Sequence, residues 1–378
     1  MNSSEPRTEP LALQPQVLVL DPAQSYKRVE EDALIRALRE ACRRAVGALP
    51  YRLSPVIMGL PGLLLHVFLL VAVHTLERAR WMYGLWIVCR VLHFCLDCMD
   101  GTQARRNGTQ STARHFWDHW VDVVNSAMAV MIVARLGPQQ GVYFPYLLLI
   151  VTGPLFFYLG LCRYYATGIL RDPYINHLWN YVFCLFLGLS VCLRGLGILE
   201  DPSFQYTYKL LSCLTFGVGF HCMLTDVLLL SEAPLFSWRF CVRILTAPVL
   251  VLGLYALWLR HSSDPLPARA LMALAMSSLC VDIHARQLLD KPPEGLTPES
   301  GLFLLTLPLS ALLPAHQPLI QRVVLCLMAG VMLLQLVRYL REMISQYPEI
   351  GFPWFWLPST HPSVLRPVSN KPGRGAGP

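Results

Sequence analysis

Apolar stretches of about twenty residues recur along this chain, at roughly 54–76, 81–99, 118–137, 143–163, 177–196, 207–231, 236–259, 266–287, 300–315 and 318–340. No other feature limits the fold as tightly. A helix rises about 1.5 Å per residue, so about 20 residues cross the roughly 30 Å hydrocarbon core of a bilayer. Inside that core the backbone must satisfy its own hydrogen bonds, which favours helices. Only 15% of the 378 residues are charged and 54% are hydrophobic. The expected fold class is an all-α polytopic membrane protein with about ten transmembrane helices. The 300–315 stretch is the weakest of them, because Pro308 and Pro314 interrupt it.

Between Tyr26 and Val46 the pattern is helical but not membrane-spanning. Val29, Ala33, Leu34, Leu38, Ala41 and Val46 share a stripe, while Arg28, Arg36, Arg39, Arg43 and Arg44 share the remainder with acids. This predicts an N-terminal amphipathic helix over 26–46, lying in the membrane interface or packed on the protein's own cytosolic face. Residues 1–25 are largely polar and show no apolar core of a signal peptide, so no ordered element is expected there. Arginines choose the orientation. Those in the N-terminal segment, with Arg105, Arg106 and Arg114 in the expected 100–117 loop, place that loop in the cytosol. Arg78, Arg80, Arg194 and Arg260 fall on the opposite side. The formal charge of +7 is carried between apolar blocks and in the tails, which is not the pattern of a nucleic-acid surface. The twelve cysteines are scattered and read as small core residues.

Four acids stand out against this background. Asp97 and Asp100 end one apolar run, and Asp118 and Asp122 begin the next. Spacings of three and four put each pair on one helix face. Two helices joined by a short polar loop are expected to pack antiparallel, bringing the four carboxylates together near one membrane surface. Each acid facing lipid would cost about 2.5–3.5 kcal/mol, so all four should face a polar cavity or the interface. Such hard oxygen donors suit Mg²⁺ or Mn²⁺. Two ions held there could clamp a diphosphate.

The stretch Asp97-Cys98-Met99-Asp100-Gly101-Thr102-Gln103-Ala104-Arg105, eight residues, then Arg114-His115-Phe116-Trp117-Asp118-His119-Trp120-Val121-Asp122 resembles a known signature. It is that of the CDP-alcohol phosphotransferases, D-x-x-D-G-x-x-A-R followed by G-x-x-x-D-x-x-x-D. Gln103, Arg106 and His119, with Tyr165-Ala166-Thr167-Gly168-Ile169-Leu170 further on, resemble the choline and ethanolamine branch. Several positions depart from it, among them Val56, Asn176 and Trp179 as well as two inside the signature. Arg114 stands at the family's second glycine, and His115 stands where the branch commonly has glutamate. Arg114 could swing out, grip phosphate or block the pocket.

The resemblance implies transfer of phosphoethanolamine or phosphocholine from CDP-ethanolamine or CDP-choline to a diradylglycerol, releasing CMP. It assigns two Mg²⁺ or Mn²⁺ ions to Asp97, Asp100, Asp118 and Asp122. The CDP-alcohol falls to Gly101, Ala104, Arg105 and Arg114. His119 is the first candidate for general base on the lipid hydroxyl and Asp122 the second. His284, late in the eighth span, is a weaker candidate for the lipid acceptor. The resemblance also implies a homodimer in the endoplasmic reticulum or Golgi membrane, with its active site facing the cytosol. The expected organisation is a cytosolic segment 1–50, a catalytic core of six helices over 51–235, further helices over 236–342 and a cytosolic tail over 343–378. Ceramide as acceptor, or an inactive scaffold, are the alternatives. A transporter is disfavoured because the acids cluster at one end of two adjacent helices.

Overall fold

The computed structural model describes residues 33–51, 53–76, 79–107, 111–136, 143–167, 202–233, 236–261 and 265–346, with a few positions between 189 and 198. Ten α-helices are described: α1 (Ala33–Ala48), α2 (Pro55–Thr75), α3 (Arg80–Asn107), α4 (Thr112–Leu136), α5 (Tyr143–Thr167), α6 (Pro202–Ser231), α7 (Trp238–His261), α8 (Pro265–Leu288), α9 (Pro298–Leu312) and α10 (Gln317–Gln346). No strand occurs among the described residues. The fold is the all-α polytopic one that hydropathy predicts. Among the described residues, six segments are long and apolar enough to cross a membrane: 55–75, 81–107, 213–231, 238–258, 268–288 and 314–345. α9, at 15 residues, is shorter than the ~20 that a straight span needs. Most of the expected span 177–196, residues 1–25 and the tail beyond 346 lie outside the described residues. The expected amphipathic helix is described from Ala33. It buries Cys42 and Val46, keeps Arg43 and Arg44 exposed beside Glu40, and packs on α3.

The loop expected over 100–117 is mostly helix. α3 continues through Asn107 and α4 begins at Thr112. At 28 residues α3 is about 42 Å long, so its polar end projects beyond the hydrocarbon core. Three side chains hold this extension. The buried Gln103 amide donates to the carbonyls of Pro50, Tyr51 and Leu53 at 3.1, 3.3 and 3.1 Å. Arg106 donates to those of Val46 and Leu49 at 2.6 and 3.0 Å and lies over the Tyr51 ring. Asn107 donates to Leu53 at 3.0 Å. Those contacts outweigh the helix cost of Gly101, about 1 kcal/mol against alanine.

Direct antiparallel packing of α3 on α4 is also corrected. Both helices pack against α2, and their contact with each other is slight. Two glycines let α2 come close. A Cβ on Gly62 would sit 3.4 Å from the His93 Cα, and one on Gly59 would sit 3.6 Å from Val121 Cγ1. α2 thus acts as a wedge that leaves a cleft between the two acid-bearing faces.

α8 is the hub of the bundle, touching α4, α5, α7, α9 and α10. Its apolar window is 94% buried, against 22–39% in the other five spans. Ala268, Ala270, Ala273, Ala275, Ser277 and Ser278 make this possible, since small side chains allow helices to approach closely. The outer faces of α2, α6, α7 and α10 carry exposed residues such as Leu64, Phe68, Phe220, Val249 and Leu334, as lipid contact requires.

Two buried acids, Asp226 and Asp282, are parts of this scaffold. Asp226 on α6 accepts from Arg163 on α5, both buried. Asp282 accepts from Arg286 Nε at 2.7 Å and from the Tyr339 hydroxyl. Arg286 also holds the following loop through the Pro292 carbonyl and Glu294. Asp226→Ala removes the carboxylate facing a buried guanidinium. It is expected to destabilise the protein by about 3–5 kcal/mol, read as a lowered unfolding midpoint in detergent. A midpoint equal to that of the wild type would refute a structural role for the pair.

Candidate active site

Helical spacing carries the four signature acids into the cleft beside α2. Asp97 and Asp100 enter from α3, Asp118 and Asp122 from α4, and all four line it with Gly59, His93, Trp117 and Val121. Asp97, Asp100 and Asp118 each bring a carboxylate oxygen within 4.8 Å of the others. Asp97 lies against Asp122, and Asp100 against Asp118. At that separation two like charges repel by roughly 3–4 kcal/mol for an effective dielectric constant of about 20. A set of hard anionic oxygens held this close fits Mg²⁺ or Mn²⁺.

His93, which sequence reasoning missed, belongs to this site. It lies one turn before Asp97 on α3, and its Nε2 is 3.5 Å from Asp122 Oδ1. Its Nδ1 is 3.0 Å from Nδ2 of the buried Asn125. With the amide donating to Nδ1, the ring proton sits on Nε2 and faces Asp122. The signal was present in the spacing: His93, Asp97 and Asp100 share one helical stripe, and Asp118, Asp122 and Asn125 share another.

The neighbouring face of α4 carries a second constellation. His115 and His119 lie one turn apart, with ring centroids at 4.5 Å. His284 comes from α8 to 4.6 Å from His119 and 5.2 Å from His115. His119 links the two groups, its Nδ1 being 4.0 Å from Asp122 Oδ2.

Residues 53–192 match the family model described as CDP-alcohol phosphatidyltransferase. The chain carries a CDP-alcohol phosphatidyltransferase domain. All four acids and the first two histidines of the second constellation lie inside it, and His284 lies outside. The chain is similar to an uncharacterized CDP-alcohol phosphatidyltransferase class-I family protein of Schizosaccharomyces pombe, 33% identical over 96 residues, which cover 25% of this chain and 24% of the relative. Two uncharacterized members of the same class-I family in Dictyostelium discoideum are 33% identical over 130 residues and 30% identical over 97. The aligned regions cover 32% and 26% of this chain, and 31% and 24% of those relatives. The chain thus spans less than a third of the length of the curated relatives it matches.

The remaining signature residues of the phosphatidyltransferase domain lie on α3 and α4 outside the lining of the cleft. Gly101 and Ala104 occupy the turn of α3 after Asp100, and a Cβ on Gly101 would meet Arg105 Nη1 at 3.5 Å. Arg105 is exposed and donates to Thr102 Oγ1 at 3.1 Å. Arg114 is 7% exposed, so it does not swing out into solvent, and it is not among the residues lining the acid cleft. Gln103 and Arg106, read in sequence as markers of the branch, make the contacts that hold residues 46–53. Tyr165 donates from its hydroxyl to the Lys291 carbonyl at 2.8 Å, tying α5 to the loop after α8. Gly168, Ile169 and Leu170 lie outside the described residues.

Proposed function

We propose that the protein transfers phosphoethanolamine or phosphocholine from its CDP ester to the hydroxyl of a diacylglycerol or alkylacylglycerol, releasing CMP. The observation that carries this reading is the convergence of Asp97, Asp100, Asp118 and Asp122 in one cleft, inside the region that matches the family. Phosphoryl transfer is dominated by positioning and charge neutralisation. Bound by these acids, Mg²⁺ or Mn²⁺ would neutralise the diphosphate and the leaving CMP. The acceptor oxygen attacks the phosphorus that bears the alcohol, the bond from that phosphorus to the CMP oxygen breaks, and His119 takes the hydroxyl proton. Asp122 Oδ2 lies 4.0 Å from His119 Nδ1. Arg105, exposed at the end of α3, is placed to meet donor phosphate. The headgroup assignment rests on likeness at Gln103, Arg106 and His119. The arginines at 105, 106 and 114 support a cytosolic orientation of the site.

The purified chain in detergent, given diacylglycerol, Mg²⁺ or Mn²⁺ and each labelled CDP-alcohol in turn, tests the reading. The expected result is a metal-dependent release of CMP with a phospholipid carrying ethanolamine or choline. Turnover only with ceramide would replace the acceptor. Failure with every CDP-alcohol would remove the activity.

His93 contacts Asp122 and is a positioning residue. His93→Ala is expected to raise the Mg²⁺ concentration for half-maximal turnover by about 10–100-fold, the usual cost of losing an outer-shell partner. The maximal rate should recover at high Mg²⁺, and His93→Gln should restore part of the affinity. A fall in rate with no change in the Mg²⁺ requirement would show that His93 only packs.

A further inference from the structure

We propose that His115, His119 and His284 form a second metal site, which takes a borderline-soft transition dication, Zn²⁺ first among them, and is chemically separate from the carboxylate cleft. The three residues each bring a ring nitrogen within 4.8 Å of the others. Zn–N bonds of about 2.0–2.1 Å in tetrahedral geometry place ligand nitrogens about 3.3–3.4 Å apart, so small side-chain rotations close the gap. Both ring nitrogens of His119 are buried with no hydrogen-bond partner among the described residues, and the buried His284 ring has only the His115 backbone near it. Buried imidazole nitrogens normally have partners, and a dication would supply one to each ring. Metal-bound histidines usually turn their other nitrogen to a carboxylate, and His119 Nδ1 already lies 4.0 Å from Asp122 Oδ2.

The two sites differ in hardness because α4 presents two faces. Asp118 and Asp122 lie four apart on one, and His115 and His119 lie four apart on the next. Carboxylate oxygens suit Mg²⁺ and Mn²⁺, whereas three imidazoles suit Zn²⁺ and its neighbours. Three protein ligands leave a fourth position open. The Tyr164 and Phe116 rings flank the cluster, with centroids 6.0 and 6.2 Å from that of His284. The nearby Asp118 charge favours a cation there. An ion held by His119 occupies the lone pair that this residue needs to accept a proton. On the function proposed above, and resting on it, occupancy of the site and turnover exclude one another, and zinc acts as an off-switch.

The test uses the full chain, purified in detergent and stripped with a chelator, with Co²⁺ alone as the probe. The wild type should develop the visible absorption of four-coordinate Co²⁺, and added Zn²⁺ should displace it. Asp100→Asn should keep this band, while His284→Gln and His115→Gln should each lose it or bind by more than about 10-fold more weakly. Two substitutions on different helices guard against one of them simply failing to fold, which gel filtration checks. A folded wild type with no such band overturns the site, as does a band that survives both histidine changes. Turnover at saturating Mg²⁺ then tests the switch. Zn²⁺ should suppress it in the wild type, and His115→Gln should need at least about 10-fold more Zn²⁺ for the same suppression. A wild type that binds Co²⁺ but turns over unchanged in Zn²⁺ overturns the switch. The Co²⁺ band needs no substrate, so it reads the site even if no CDP-alcohol is turned over.

Discussion

Asp100→Asn, or Asp118→Asn, is expected to abolish transfer while leaving the chain folded and in the membrane. The two residues come from different helices, and each offers an oxygen within 4.8 Å of the other and of Asp97. An amide at either place removes a negative charge and an anionic ligand with almost no change in volume. Folding should tolerate this well, because fewer like charges then share the cleft. Catalysis should not, because the charge clamp on the diphosphate is lost. Turnover of labelled CDP-alcohol and the gel-filtration profile together check it. Near-normal turnover in either variant would sink the two-metal reading, and an aggregated variant would show that the acids are structural.

His119→Ala is expected to lower turnover by about 10²–10⁴-fold, the range for losing a general base, with little change in CDP-alcohol binding. The ring lies one residue past Asp118 and between the acid cleft and His284. The rate at saturating donor, set beside donor affinity, separates the proton-accepting role from simple packing. If the variant turns over as fast as the wild type, His119 leaves the mechanism and Asp122 becomes the base.

The site was legible in sequence to the extent that it is local. Acids three and four residues apart announce a shared face, and an apolar run announces a span. What could not be read was the partner of each face. Hydropathy gives α8 no special rank, yet it is the most enclosed helix and the one that brings His284 to His119. Asp226 is engaged by Arg163, 63 positions away, and Asp282 by Tyr339, 57 positions away, as well as by the local Arg286. The continuation of α3 past Met99 was hidden because its partners lie far off in sequence. Polar residues read as a loop until Gln103, Arg106 and Asn107 are seen to hold the carbonyls of residues 46–53.

The enclosure of α8 sets a timetable for biogenesis. α4 carries Arg114, His115, Asp118 and Asp122, and α8 is the helix that brings His284 against that polar face. About 150 residues separate the end of α4 from the end of α8. At roughly 5–20 residues per second, a ribosome needs roughly 8–30 s to make them. Throughout that interval the polar face of α4 is already synthesised but α8 has yet to cover it. Something must shelter the charged turns of α4 from lipid until α8 inserts, whether the insertion machinery or a membrane chaperone. Chains that stop before Pro265 should therefore be held at that machinery or degraded rather than accumulate as a smaller transferase.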